Sequence, residues 1–144
     1  MSGLEVRRAR PDELARCLAI RREVFVEEQG VPIDEEMDAH DPACTHFLAL
    51  AAGEAVGTAR LRVTGDGRVK AERVAVRRPF RRAGVGRALM RTLEDEARAR
   101  GAPELLLNAQ VPVVTFYERL GYRAEGVEFL EAGIPHRAMR KPLT

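Results

Sequence analysis

Apolar residues recur along the chain with two periods, and the changes between them divide it into elements,. Leu4 to Ala9 reads as a short strand. Asp12 and Glu13 then open a helix, because carboxylates favour its positive dipole end. Leu14, Cys17, Leu18 and Phe25 keep helical spacing, and Gly30 followed by Pro32 stops it,. Thr45 to Ala52 is strand-like, with a turn at Gly53-Glu54 into a strand ending near Thr64. Gly65-Asp66-Gly67 predicts a hairpin, and the next strand runs from about Arg68 to Val76,. Arg81 to Gly86 is a basic, glycine-containing turn. Val85, Leu89, Leu93 and Ala97 then form one stripe of a helix that ends at Gly101 and Pro103,. Leu105 to Ala109 is a short buried strand, Pro112 fits the first turn of a further helix, and Gly121 caps that helix,. Arg123 to Glu131 and His136 to Lys141 are strands flanking a turn at Gly133. The pattern predicts an α/β fold whose mixed, mostly antiparallel sheet contains one parallel strand–helix–strand crossover. A right-handed crossover places the basic turn at the carboxyl end of the strand that closes on Val76.

At 144 residues the chain fits a single domain, 1–144, and 45% hydrophobic with 32% charged residues excludes disorder and fibrous repeats,. The longest apolar run, Phe47 to Ala52, is far short of the ~20 residues of a membrane span,. The N-terminus lacks the apolar core of a secretion signal, and Cys17 and Cys44 form no CxxC pair,. The expectation is a soluble cytoplasmic protein with no membrane partner. Net charge is only +2, but the charges are segregated. Residues 23–59 hold nine acids and no Lys or Arg, whereas 68–91 hold nine basic residues and one acid, Glu72. Such a chain presents two ligand surfaces of opposite sign, or else the two segments neutralise each other across the fold.

The stretch VAVRRPFRRAGVGRALM carries the clearest chemistry. A strand ends at Val76, arginines gather at 77, 78, 81 and 82, and Gly84-Val85-Gly86 opens the helix. The first turn of a helix has unpartnered backbone N–H groups, and glycine lets a ligand approach them closely. The positive dipole end makes this an anion site suited to pyrophosphate. The GxxxxGK[ST] loop is absent, and GxGxxG fails because Leu89 stands three places after Gly86,. Arg81-Arg82-Ala83-Gly84-Val85-Gly86 matches the Q/R-x-x-G-x-G/A pattern and so resembles motif A of the GNAT superfamily of acyl-CoA N-acyltransferases. The element order resembles that fold over nearly the whole chain. The resemblance implies that the amides of this turn hold the pyrophosphate of acetyl-CoA and that Val74, Ala75 and Val76 pair with pantetheine. Arg81, Arg82 and Arg87 would add charge near the phosphates.

VPVVTFYERLGY resembles the later helix of the same superfamily, with Tyr117 in the place of its tyrosine and Gly121-Tyr122 as its ending. A phenol is protonated at neutral pH and can protonate a departing thiolate. Its plainer reading is a core residue of a short amphipathic helix. Many members carry an asparagine about seven residues before the tyrosine. Here that place is Gln110, with Asn108 two residues earlier, and strand alternation puts both on one face.

An alkylammonium near pKa 10.4 must lose a proton before it can attack, which calls for a base. Glu72, the lone acid of the basic stretch, is the candidate, with a salt bridge to Arg73 or a neighbouring strand as the alternative. IRREVFVEEQGVP and the later Asp38-x-x-Asp41-x-x-x-x-His46 spacing resemble the bacterial ElaA/YjcF-type branch. This implies a substrate loop, with Glu28, Gln29 and His46 as candidate substrate-binding residues. The acids of that loop would attract a cationic amine, unless it is a solvated acidic segment. No HExxH or close Cys/His grouping supports a metal, nothing pairs Cys44 with a base, and no nucleic-acid motif accompanies the arginines,. The resemblance implies an acetyltransferase acting on a small-molecule or peptide amine, and its strand edges allow a homodimer. The alternative is a non-catalytic acyl-CoA-binding sensor.

Overall fold

The computed structural model describes residues 3–144. Strand β1 (Leu4–Arg8) leads through a tight turn at Pro11–Glu13 into helix α1 (Leu14–Arg21). The turn closes on Glu13, whose carboxylate accepts from the Arg10 backbone N–H at 2.9 Å and from Arg7 Nη1 at 2.6 Å,. The periodicity predicts one helix as far as Gly30. Instead α1 widens into a π-helix over Arg22–Glu28. The wider turn lowers the angle between successive side chains, so the neighbours Val24 and Phe25 both pack inward,. A further single-turn helix α2 (Ile33–Glu36) and a turn at Asp41–Ala43 occupy the segment that the sequence leaves as a loop.

Next come β2 (Thr45–Ala51), β3 (Glu54–Val63) and β4 (Val69–Val76), then the basic turn and α3 (Val85–Ala99). The chain closes with β5 (Glu104–Gln110), α4 (Val114–Arg119), and the hairpin β6 (Arg123–Glu131) to β7 (Ile134–Pro142). The seven strands form one sheet ordered β1-β2-β3-β4-β5-β7-β6. Only β4 and β5 pair in parallel; every other neighbour pairs antiparallel. This is the predicted mixed α/β fold.

Each face of the sheet has its own apolar cluster. On one, α3 sets Val85, Leu89 and Leu93 against Phe47, Ala49, Leu61 and Leu107. Gly57 of β3 makes this approach close, because a Cβ there would sit 2.9 Å from Val85 Cγ1 and 3.1 Å from Leu89 Cδ1,. On the other face, α1 lays Cys17, Ile20 and Val24 over Leu48, Leu50 and Ala75. Further along the strands that second face turns polar, with Arg60 opposite Glu72 and Arg62 opposite Lys70. No helix among the described residues is long and apolar enough to cross a membrane.

Candidate active site

β4 and β5 pair at only two positions, Lys70 with Leu106 and Ala71 with Leu107. Beyond them the strands run on to Val76 and Gln110 without pairing. The parting follows from a bulge, where β4 loses register with β3 between Thr58 and Arg60 and Arg73 adopts φ 55°,. A cavity of about 1190 Å³ opens here. Val74, Ala75 and Val76 line it from β4, Asn108 and Gln110 from β5, and Tyr117 and residues of the basic turn line it as well. Every cofactor-binding residue expected from the sequence except Ala83 therefore lines one space.

The basic turn carries two left-handed residues, Arg82 at φ 68° and Gly84 at φ 83°. Successive N–H groups in such a turn converge on an anion, and the 15-residue helix α3 begins directly after it,. At Gly86 a Cβ would meet Phe116 Cζ at 3.3 Å, so glycine seats α4 against the first turn of α3. Arg81 is already engaged: its Nε donates to the Val76 carbonyl at 2.8 Å and its Nη2 to Glu28 at 2.9 Å. Arg82 and Arg87 form no ion pair with the described residues.

Tyr117 is 8% exposed, packed edge-to-face against Phe116 and Tyr122 at 5.0 and 5.8 Å between ring centres,. Burial pushes its phenol up to about 12, which keeps it protonated across the physiological range,. Tyr122 is held in turn by its hydroxyl donating to Glu94 at 2.7 Å, and Lys141 Nζ lies 2.9 Å from the same carboxylate. The Tyr122–Glu94–Lys141 link ties the end of α4 to α3 and β7. The Gly-Tyr ending is thus a structural anchor.

The acceptor side departs most from expectation. Glu72 accepts from Arg60 Nη2 at 2.8 Å and Arg62 Nε at 2.9 Å, with Lys70 Nζ at 3.3 Å. Burial alone would raise its pKa. The hydrogen bonds from Arg62 and Arg60, with the charges of Arg60 and Lys70, hold it at about 2,. A carboxylate so stabilised takes up a proton poorly, and its contacts are those of the salt-bridge reading, with Arg60 and Arg62 on the neighbouring strand β3 and Lys70 on β4 as partners and not Arg73. Three of the loop acids, Glu36, Asp38 and Asp41, are committed in the same way. Arg21 and Arg60, each 1% exposed, draw in Glu36, Asp38 and Asp41, with Arg21 to Glu36 at 2.8 Å and Arg60 to Asp38 at 2.7 Å. Arg73 pairs with Glu36 and Asp38 at 2.8 and 3.2 Å. The two charged segments therefore neutralise each other in part, through Arg73, Arg77, Arg78 and Arg81, while Arg82 and Arg87 stay unpaired among the described residues.

The three expected substrate residues separate. Gln29 lines the cavity and accepts from Gln110 Nε2 at 2.9 Å. Glu28 turns to Arg81 and Arg78 instead. His46 does not reach the cavity: its Nε2 lies 2.9 Å from the Asp41 carbonyl, and its buried Nδ1 has no partner. Its position on β2 faces the ion cluster, which satisfies the spacing motif without serving a ligand. Cys17 is fully buried, and burial raises its thiol pKa, as befits a core residue.

His136 and Glu131 also line the cavity, and the sequence pattern does not mark either. His136 of β7 sits opposite Gln110, and Glu131 ends β6. Asn108 Nδ2 donates to Glu131 Oε1 at 3.1 Å. Counting alternate residues back from the Gly133 turn would have put both on the cavity side, but only with the β5–β7 register known.

A family model described as acetyltransferase (GNAT) domain matches residues 9–143. The uncharacterized N-acetyltransferase YjcF of Bacillus subtilis is 42% identical over 131 residues, which cover 90% of this chain and 93% of the relative. Among solved structures, an acyl-CoA N-acyltransferase from Pseudomonas aeruginosa overlays with a TM-score of 0.81 at 32% identity, covering 96% of this chain and 98% of the other. Escherichia coli ElaA overlays at 0.83 and 28%, covering 96% and 99%. With strands parted beside a glycine-opened helix and a match spanning nearly its whole length, the chain belongs to the GNAT acetyltransferase family.

Proposed function

We propose that residues 1–144 form a single N-acetyltransferase domain that moves an acetyl or small acyl group from acetyl-CoA to a small-molecule or peptide amine. The reaction is direct attack within a ternary complex, and such a donor suits a cytoplasmic setting. The observation that carries this reading is the parting of β4 and β5, which aligns an anion-binding turn, an unpaired strand edge and a buried phenol along one cavity.

In this reading the amides of Arg82 to Gly86 hold the pyrophosphate, with Arg82 and Arg87 adding charge. The edge of β4 over Val74–Val76 pairs with pantetheine, and a backbone N–H there polarises the thioester carbonyl. Asn108 and Gln110 border the acyl end from the β5 side. The amine nitrogen attacks the carbonyl carbon, the carbon–sulfur bond breaks, and Tyr117 gives its proton to the leaving sulfur. Glu72 takes no proton; it keeps Arg60, Arg62 and Lys70 in place beneath the acceptor.

Thiol release from acetyl-CoA, followed spectrophotometrically over a panel of amines and amine-bearing peptides, tests the proposal. Amine-dependent release supports it. Coenzyme A binding without release for any amine indicates the sensor instead, and no binding sinks both.

A further inference from the structure

With Glu72 neutralised, acyl transfer still needs a group that receives the amine's proton. We infer that His136 is the general base and that His136 and Glu131 together form the acceptor-ammonium site; this rests on the acyltransfer reading above.

The ring of His136 is fixed on several sides. Its Nδ1 lies 2.6 Å from the Ile134 carbonyl, which can only accept, so Nδ1 carries a hydrogen and, in the neutral ring, Nε2 carries the lone pair,. Phe129 stacks on the ring at 6.1 Å between centres and 25° between planes. The side chain is 8% exposed, yet it lines the cavity. Glu131 is fixed too, since Asn108 donates to its Oε1. Its other oxygen, Oε2, lies 3.5 Å from His136 Nε2. In the neutral ring two acceptors therefore face each other, and a donor carrying two N–H groups can bridge them. A primary ammonium bridges such a pair with one hydrogen to each.

The position suits the chemistry as well. His136 stands directly opposite Gln110, at the end of β5 that has parted from β4. Glu131 is the ionisable side chain paired with the imidazole among the described residues, and β5 presents only the neutral amides of Gln110 and Asn108 beside it. Among the described residues no cation pairs with Nε2 or with Glu131, in contrast to the three that surround Glu72.

The bound ammonium gives one proton to His136 Nε2, which passes it to solvent. The freed nitrogen lone pair forms the bond to the acyl carbon as the carbon–sulfur bond breaks with its electron pair on sulfur. The nitrogen then sheds a second proton, which replaces the one Tyr117 gives to sulfur. The products are an amide, the coenzyme A thiol and one proton.

The test uses the full chain, acetyl-CoA, and an amine that the unaltered protein acetylates. His136→Gln should lower kcat about 100-fold near pH 7 while coenzyme A affinity and melting temperature hold. The deficit should shrink as pH rises toward the amine's pKa, near 10.4, because bulk water then does the deprotonation. A purely structural histidine would show no such recovery. Glu131→Gln should raise the amine KM about tenfold with a smaller change in kcat. If His136→Gln does not fold, His136→Ala with imidazole added is the second variant, and rescue of turnover supports the base. A His136→Gln protein within threefold of the unaltered one, a deficit equal at pH 7 and 10, or no rescue by imidazole overturns the inference while leaving acyl transfer standing. Absence of thiol release from the unaltered protein with every amine overturns both.

Discussion

Tyr117 owes its suitability as a proton donor to the same burial that makes it look like a core residue. Its ring fills the space between Phe116 and Tyr122, so Tyr117→Phe keeps those contacts while removing the hydroxyl. The melting temperature should move by no more than about 2 °C, and turnover should fall 10- to 100-fold across pH 6–9. With its phenol near 12, Tyr117 should contribute no descending limb to the pH–rate profile below about pH 11,. A profile falling between pH 8 and 10, and lost in Tyr117→Phe, would contradict this assignment. Glu72 makes the opposite case. Glu72→Gln leaves Arg60, Arg62 and Lys70 facing a neutral group in a part-buried setting, which should cost about 3–5 kcal/mol in urea unfolding,. It should not displace the pH–rate profile of whatever activity survives. A displaced limb would restore Glu72 as the base.

Among the elements, the junction of α3 with β3 is the sharpest test of how the sheet carries the site. Gly57→Ala would bring a Cβ to 2.9 Å from Val85 and 3.1 Å from Leu89, with the Ala75 carbonyl at 3.2 Å. Overpacking of this kind costs about 1–3 kcal/mol. Because Val85 and Gly86 open α3, coenzyme A affinity should weaken along with stability; calorimetric titration and thermal melting check both. Equal affinity at reduced stability would show that α3 shifts as a rigid rod without moving its first turn. These elements also mark how far the sequence could be read. Strand and helix positions were legible because apolar spacing differs sharply between them, and the basic turn because glycines and arginines have few other uses together. The π-helix was not legible, since about three turns of apolar spacing from Leu14 to Phe25 fit either winding,. Nor was the pairing of β5 with β7 beyond the hairpin, and His136 and Glu131 gain their placement only from that register. For Glu72 the sequence offered both a base and a salt bridge to a neighbouring strand, but not the partners, because its cations come from two strands and the pairing alone brings them together.

For the whole molecule, the small net charge conceals an interior held by ion pairs between segments far apart in sequence. Arg60 is the centre, with Asp38 at 2.7 Å and both Asp41 and Glu72 at 2.8 Å. Hydrogen bonds from Arg60 hold Asp38 below its ordinary range. Burial would raise Asp41, but hydrogen bonds from Arg21 and Arg60 bring it lower, and Glu72 lies at about 2. Carboxylates with folded pKa values below their unfolded ones add stability that is fully present above about pH 4.5. That stability is lost as pH falls toward about 2, because the unfolded chain binds the protons first. Thermal melting should therefore be nearly flat from pH 8 to about pH 5 and fall steeply below about pH 4. Arg60→Leu removes the shared partner and leaves three acids undercompensated. It should lower the melting temperature at pH 7 by at least 5 °C, from a loss of about 3 kcal/mol or more, and flatten the acid limb, so that the two melting curves converge as pH falls toward about 3. A variant that melts lower at every pH by the same amount would show that Arg60 acts through packing alone, without setting the ionisation of the segment that closes the acceptor side of the cavity.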